Sequence, residues 1–451
     1  MKAKLIASFL LACCIHSLSA KSEFSADSTA IVDYFLKYLE GEKSMFSDNR
    51  GLLKIDQVED ASRLVWDAWR SANSLFDEDK ILFIDVNPLS NADSSRIIIP
   101  ESLEKDAVMT YYLGSKGDKP DEGYPLFIYT HGSGPKAREW ATGLKICREF
   151  ADIPSVYFIP RIPNEGEYYR WWQKGKQYVW EKALRQAMLA DNINPDRIYV
   201  FGISEGGYGS QRLASFYADY LAAAGPMAGG EPLPNAPAEN LGNIAFSLRT
   251  GADDRGFYRM ILTENTGKEL DSLQSANPGR YTHWVELIPG YGHSIDYKPT
   301  TPWLKQFSRS PHPRQVTWEN FEMDGIKRNC FYNLAVSEPD TLNQRTRYDL
   351  NIEGNLIYLD VNRVEYETTE RDPNWGIPLK SRKHFTPATE GEVTIYLNSS
   401  LVDLEQEITV FLNGNEVFKG KVEPTIANLV NSCAIFYDSR RLFPASITVK
   451  L

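Results

Sequence analysis

The segment Arg197-Ile198-Tyr199-Val200-Phe201-Gly202-Ile203-Ser204-Glu205-Gly206-Gly207 constrains this chain more than any other. An apolar run of strand character ends at a glycine, and a helical pattern follows over residues 208–218. A G-x-S-x-G turn between a strand and a helix forces the serine into a strained conformation and lifts its hydroxyl above the sheet edge. Glycines must flank it, because side chains there would run into the neighbouring strand and helix. The helix that starts at the turn also brings free backbone N–H groups and a positive dipole end next to the hydroxyl. Ser204 is therefore the predicted nucleophile.

The surrounding pattern fits that turn. Residues 107–113, 126–129, 156–159, 197–201, 222–224, 244–250 and 284–288 read as short strands, and residues 177–190 as an amphipathic helix. Short apolar strands alternating with helices predict an α/β fold, a mostly parallel sheet with helices on both faces, over residues 96–309. Upstream, residues 30–39 and 61–72 have helical spacing, so 21–95 is expected to be a helical segment with a short strand at 81–86. Ser310-Pro311-His312-Pro313 reads as a linker. Beyond it, strand-like runs at 356–361, 392–397, 407–412 and 447–451, with the hairpin signal Asn413-Gly414, predict a small all-β domain over 310–451.

With 42% hydrophobic and 24% charged residues the chain can bury a core, which excludes general disorder. A net charge of −11 argues against nucleic acid or anionic membranes as partners. Lys2, Lys4, the apolar run 5–15 and the small residues of Ser17-Leu18-Ser19-Ala20 read as a cleaved signal peptide over residues 1–20, which predicts a secreted or periplasmic protein. Leu10-Leu11-Ala12-Cys13 also fits a lipoprotein box, so a lipid anchor at Cys13 on an outer-membrane lipoprotein is the alternative. No other stretch is long and apolar enough for a membrane span. After the leader only Cys147, Cys330 and Cys433 remain, far apart, and are expected to be buried thiols. Without a CxxC pair no metal site is expected, nor any cofactor.

A serine hydroxyl needs a base to take its proton. Of the five histidines beyond the leader, His293 in Gly290-Tyr291-Gly292-His293 follows the last core strand and can swing over Ser204. His283 starts that strand and belongs to the far edge; His312 lies in the linker and His384 in the β region. The acid that orients the imidazole is expected in Gly251-Ala252-Asp253-Asp254, giving the chain order Ser, Asp, His. Asp254 is favoured, with Asp253 left open. Thr130-His131-Gly132-Ser133-Gly134 follows an apolar strand, where such folds place a second oxyanion donor. Gly132, Ser133 and Glu205 are the candidate oxyanion residues, with His131 shaping the loop. The aromatic stretch Tyr168-Tyr169-Arg170-Trp171-Trp172 falls at the carboxyl end of the sheet, where ligands bind, so Tyr169, Arg170, Trp171 and Trp172 are candidate substrate contacts.

At these residues the chain resembles the α/β-hydrolase superfamily over about residues 105–300. It is similar to secreted serine esterases of the polyhydroxybutyrate-depolymerase, feruloyl-esterase and acetylxylan-esterase kind, and to prolyl-oligopeptidase-like hydrolases. The resemblance rests on His131-Gly132-Ser133-Gly134, on Asp196 through Gly207, on Gly251 through Asp254 and on Gly292-His293. It implies Ser204 as nucleophile, His293 as general base, Asp254 as orienting acid, and the N–H groups of Ser133 and Glu205 as oxyanion donors. Glu205 departs from the smaller or neutral residue more usual there in feruloyl and polyester esterases. The expected activity is carboxylic-ester hydrolysis, with acyl decorations of plant or algal polysaccharides as the implied substrate. A serine peptidase with the same triad and a glycan-binding protein on an inactive hydrolase scaffold are the competing readings.

Overall fold

The computed structural model describes residues 28–47, 51–76, 82–91, 94–339 and 343–451. The expected signal peptide over residues 1–20, with Cys13, lies outside the described residues.

Helices α1 (Ser28–Leu39) and α2 (Val58–Phe76) each bury one stripe. Ile31 and Phe35 of α1 meet Val65, Ala68 and Trp69 of α2, the Phe35 and Trp69 rings touching edge to face at 5.0 Å. The strand expected at 81–86 does not form. Residue 81 lies outside the described residues, and 82–86 make turns that drop Phe83 into the core against Phe158. An apolar run alone does not separate a strand from a loop that buries one ring.

The central sheet holds β1 (Ser94–Ile98), β2 (Val108–Lys116), β3 (Tyr124–Thr130), β4 (Ser155–Pro160), β5 (Ile193–Ile203), β6 (Ala223–Met227), β7 (Ala245–Gly251) and β8 (His283–Ile288). Its spatial order is β1-β2-β4-β3-β5-β6-β7-β8. β2 is antiparallel to both neighbours, and every pair from β4 to β8 is parallel. This is the α/β-hydrolase fold. β3 and β7 are buried along their whole length, as strands covered on both faces must be. Side chains alternate between two layers. Leu126 and Ile128 join Val179, Leu213 and Leu270 on one face. Phe127 and Tyr129 join Trp140, Leu144 and Leu304 on the other. The helices that supply these residues are α3 (Lys136–Glu149), α4 (Lys174–Leu189), α5 (Glu205–Phe216), α6 (Arg259–Ala276) and α7 (Thr300–Leu304).

The rest of the chain forms two smaller sheets. One orders β10 (Cys330–Phe331), β11 (Leu334–Glu338), β15 (Glu392–Leu397) and β18 (Ala445–Lys450). The other orders β17 (Asn415–Gly420), β16 (Ile408–Leu412), β13 (Leu356–Arg371), β12 (Thr346–Glu353) and β9 (Gln315–Asn320), with β14 (Pro378–Pro387) paired to β13. Asn413 and Gly414 take positive φ, 47° and 82°, and join β16 to β17 as the hairpin signal required.

This C-terminal module is not all β. Helix α8 (Ile426–Phe436) starts where Thr425 Oγ1 accepts the Asn428 N–H at 3.0 Å. It buries Leu429, Val430, Cys433 and Ala434 against α1 and α2. Because α8 is buried nearly all round, it lacks the polar face that betrays a helix in sequence. The N-terminal helices therefore share their core with the C-terminal module, 350 residues or so away along the chain. Residues 310–313, read as a linker, form an irregular, partly exposed stretch between α7 and β9. Arg309, just before it, is fully buried, and the Arg309 N–H donates to Asp196 O at 2.8 Å. Cys147, Cys330 and Cys433 are buried and unpaired. No helix among the described residues is long and apolar enough to cross a membrane.

Candidate active site

Ser204 sits between β5 and α5 at φ 59°, ψ −115°, a backbone conformation that a non-glycine residue adopts only under constraint. The constraint comes from packing. The Ser204 N–H donates to Met227 O at 3.0 Å. A Cβ on Gly202 would lie 2.1 Å from Thr130 Oγ1, and one on Gly206 would lie 1.9 Å from Thr130 O. The turn is thus wedged between β3 and α5 at a distance that only glycine allows.

His293 lies in the loop after β8. Its Nε2 is 2.9 Å from Ser204 Oγ, and its Nδ1 is 2.8 Å from Asp254 Oδ2. With a carboxylate on Nδ1, the ring proton belongs there and Nε2 is left to accept from the serine hydroxyl. The loop reaches this position because Gly251 has no side chain. A Cβ there would meet Gly292 O at 2.0 Å and Tyr291 O at 2.2 Å. The Asp253 N–H then donates to Tyr291 O at 2.9 Å, tying the loop of the acid to the loop of the histidine. Of the two aspartates, Asp254 is buried and faces His293, whereas Asp253 is exposed.

Asp254 has a second partner that the sequence reading missed. Arg259, at the start of α6, donates from Nε to Oδ2 at 2.8 Å and from Nη2 to Oδ1 at 2.6 Å. Burial alone would raise the Asp254 carboxyl, but the hydrogen bonds from Arg259 and His293 outweigh it and hold Asp254 below the usual carboxylate range. No local motif announces Arg259; only the fold brings it to Asp254.

The loop at the end of β3 lies beside the serine. A Cβ on Gly132 would be 3.5 Å from Ser204 Cβ, and Ser133 lines the same cleft. Glu205 is the first residue of α5, so its N–H is among the donors a helix leaves without an internal partner. His131 is fully buried. Its Nε2 accepts the Ile162 N–H at 3.1 Å, which leaves Nδ1 as the donor to Gly132 O at 2.8 Å. Burial, reinforced by Arg161 and opposed by the bond to Gly132, lowers its pKa to about 4. It is a neutral prop of the loop.

The aromatic stretch divides in two. Tyr169 and Trp171, expected to face substrate, are buried instead. Tyr169 Oη donates to Gly132 O at 2.9 Å and Gly134 O at 3.0 Å, and Trp171 Nε1 donates to His131 O at 2.9 Å. They hold the loop of residues 131–134 from behind, because alternate residues of the stretch point to opposite sides. Arg170 and Trp172 do line the cleft.

That cleft, about 480 Å³ at Ser204, has walls of two kinds. One is charged. Arg212 donates to both carboxylate oxygens of Glu231, at 2.7 and 3.0 Å, and lies 3.9 Å over the Trp172 ring. Glu205 is buried, with Oε2 3.7 Å from Arg170 and Oε1 without a hydrogen-bond partner. Burial, with Glu231 adding and Arg170 and Arg212 opposing, pushes its carboxyl up to about 7. The other wall is Phe257 with Trp375 to Pro378, contributed by the turn between β13 and β14. No residue of that turn was foreseen, although Asp372-Pro373-Asn374-Trp375-Gly376 places a tryptophan among turn formers. Among the described residues no cluster of His, Cys, Asp and Glu could hold a metal.

No family model matches the chain. A curated relative, "Putative esterase NocK" of Nocardia uniformis subsp. tsuyamanensis, is 29% identical over 146 residues, 29% of this chain. The match spans about two fifths (41%) of that relative's length. Among solved structures, a thermostable esterase is 21% identical with a TM-score of 0.38, over 48% of this chain and 63% of that one. A ferulic acid esterase is 14% identical with a TM-score of 0.35, over 48% of this chain and 99% of that one. The chemistry of the site therefore stands on its own geometry.

Proposed function

We infer that the chain is a serine carboxylic-ester hydrolase acting through an acyl-enzyme. The observation that carries this is the unbroken line of hydrogen bonds from Ser204 through His293 to Asp254 on a strained strand–turn–helix. In this reading Ser204 Oγ attacks the ester carbonyl while its proton passes to His293 Nε2. The carbonyl oxygen gathers negative charge and is held by the N–H groups of Ser133 and Glu205, beside Gly132. The tetrahedral species collapses, the alcohol leaves with the proton from His293, and Ser204 remains acylated. Water then adds by the same route, releasing the acid and restoring the serine. Asp254, held by Arg259, keeps the imidazole in the tautomer both steps require. The substrate is an acyl ester on a plant or algal polysaccharide. An open cleft with exposed aromatic rings supports that class. The leader over residues 1–20 supports export, with Cys13 as the alternative lipid anchor.

The test combines labelling and turnover. A fluorophosphonate should label wild-type protein at Ser204 and leave Ser204→Ala unlabelled. Acetyl, feruloyl and longer-chain esters should be hydrolysed in preference to dipeptide amides. Amide cleavage without ester preference would replace this reading with the peptidase. Absence of both labelling and turnover in folded protein would leave a glycan-binding scaffold.

A further inference from the structure

The most conspicuous use of residues that the chemistry of ester cleavage does not explain is the turn between β13 and β14. Trp375 is 67% exposed and Phe257 is 48% exposed, yet their rings lie 5.1 Å apart and line the same cleft as Ser204. Rings so open to water add little to the core. Their positions are nonetheless held firmly. Asp372 is buried, and its carboxylate accepts the N–H groups of Asn374 at 3.2 Å and Trp375 at 2.5 Å. The Asp372 N–H donates to Ile377 O at 2.9 Å, and the Gly376 N–H to Asp372 O at 3.1 Å. Tyr258 Oη donates to the same carboxylate, which ties the turn to the loop carrying Phe257. Phe257 and Tyr258 both sit at positive φ, 50° and 59°. Backbone strain in two bulky neighbours, and a carboxylate buried to fix a turn, persist where presentation of a side chain is the purpose.

We propose that Phe257 and Trp375 form a subsite holding a pyranose ring in the alcohol part of the ester, so that the C-terminal module selects what the central sheet hydrolyses. This rests on the ester-hydrolase reading. Aromatic faces carry negative charge density and attract the slightly positive C–H face of a sugar ring. The opposite wall supplies what the ring hydroxyls need: Arg170 and the Arg212–Glu231 pair. A plain aryl group would fill the aromatic side but make no hydrogen bond to these polar groups.

The experiment compares kcat/KM of the full-length wild type, Trp375→Ala and Phe257→Ala on three probes: 6-O-acetylglucose, phenyl acetate and ring-free ethyl acetate. Each substitution should lower kcat/KM for the sugar ester about tenfold more than for ethyl acetate, chiefly through KM. Equal loss on both probes, or none, overturns the subsite. So does a greater loss on phenyl acetate than on the sugar ester, which would make it an aryl site. A wild type inert towards all three esters removes the parent reading instead. The subsite is then judged by calorimetric titration of Ser204→Ala with 6-O-acetylglucose: binding weakened about tenfold in Ser204→Ala/Trp375→Ala supports it. Unaltered or absent binding sinks it. Urea midpoints of the variants, within those of ordinary surface changes, exclude a folding defect as the cause.

Discussion

The central sheet and the C-terminal module are held by different forces. β3, β4, β6 and β7 are buried at every position, and their neighbours across the two layers are apolar. The module alternates instead, β12 burying every second residue until its last. Where module and sheet meet, apolar rings pack across the junction, Phe216 on Phe321 at 5.5 Å and Tyr220 on Tyr437 at 4.9 Å, and buried ions sit among them. Arg441 reaches Asp219 at 2.6 Å and Asp438 at 2.9 Å; Arg309 reaches Asp438 at 2.7 Å; Arg328 also pairs with Asp219. Burial would raise Asp219 and Asp438, but the arginines hold both below the usual carboxylate range. Apolar packing contributes on both sides of the junction, and the ion pairs add direction to it, since each arginine must meet its own carboxylate. That matters because the module brings Trp375 to the cleft.

The contrast predicts a separation of activity from stability. Ser204→Ala and His293→Ala should each lower kcat by on the order of 10⁴–10⁶ while leaving the unfolding midpoint nearly unchanged. Asp254→Asn should follow at about 10⁴, and exposed Asp253→Asn should stay near wild type. Steady-state kinetics beside urea unfolding checks this. An Asp253 variant as damaged as the Asp254 variant would contradict the geometry. At the junction the order should reverse. Arg441→Ala leaves Asp219 with Arg328 and Asp438 with Arg309, and should cost about 1.5–3 kcal/mol of stability. Leu126→Ala inside the sheet should cost about 2–5 kcal/mol by opening a cavity. If Arg441→Ala proves neutral, the ions do not fix the module.

The two regions also differ in how far the sequence discloses them. Gly202, Gly206 and Gly251 carry local signals, because the close approaches that require them lie within a few residues of Ser204 and Asp254 or in the adjoining strands. The strand at 392–397 and the Asn413-Gly414 turn follow from period and turn chemistry alone. Arg259 and Trp375 were not legible. One lies five residues beyond Asp254, a spacing that across an irregular turn carries no signal of contact. The other reaches the cleft only after a 16-residue strand, β13, has carried the chain there. The division of Tyr169 and Trp171 from Arg170 and Trp172 was hidden for the same reason, since a loop has no fixed period to say which side faces inward. Arg259 offers a test of such support. Arg259→Ala should leave Asp254 with one partner fewer and lower kcat on the order of 10²-fold, with KM little changed. A matching fall from Arg259→Lys would show that the forked geometry, not the charge, positions the acid.

The smallest effect concerns Glu205, where the two regions share one cleft. Its carboxyl stands at about 7 in the folded protein against an ordinary 4.5, with burial as the main cause. Between those values the folded chain keeps a proton that the unfolded chain has released. Unfolding then sheds protons, so stability falls as pH rises from about 4.5 to about 7 and levels off above. Glu205→Gln keeps the shape and the backbone N–H but cannot ionise. The substitution should remove this slope, so the variant gains on the wild type by on the order of 1–3 kcal/mol between acid and neutral pH. Urea midpoints of both proteins at matched pH values measure the difference. Parallel curves would mean that Glu205 is already charged in the fold, paired with Arg170 more closely than the 3.7 Å separation indicates.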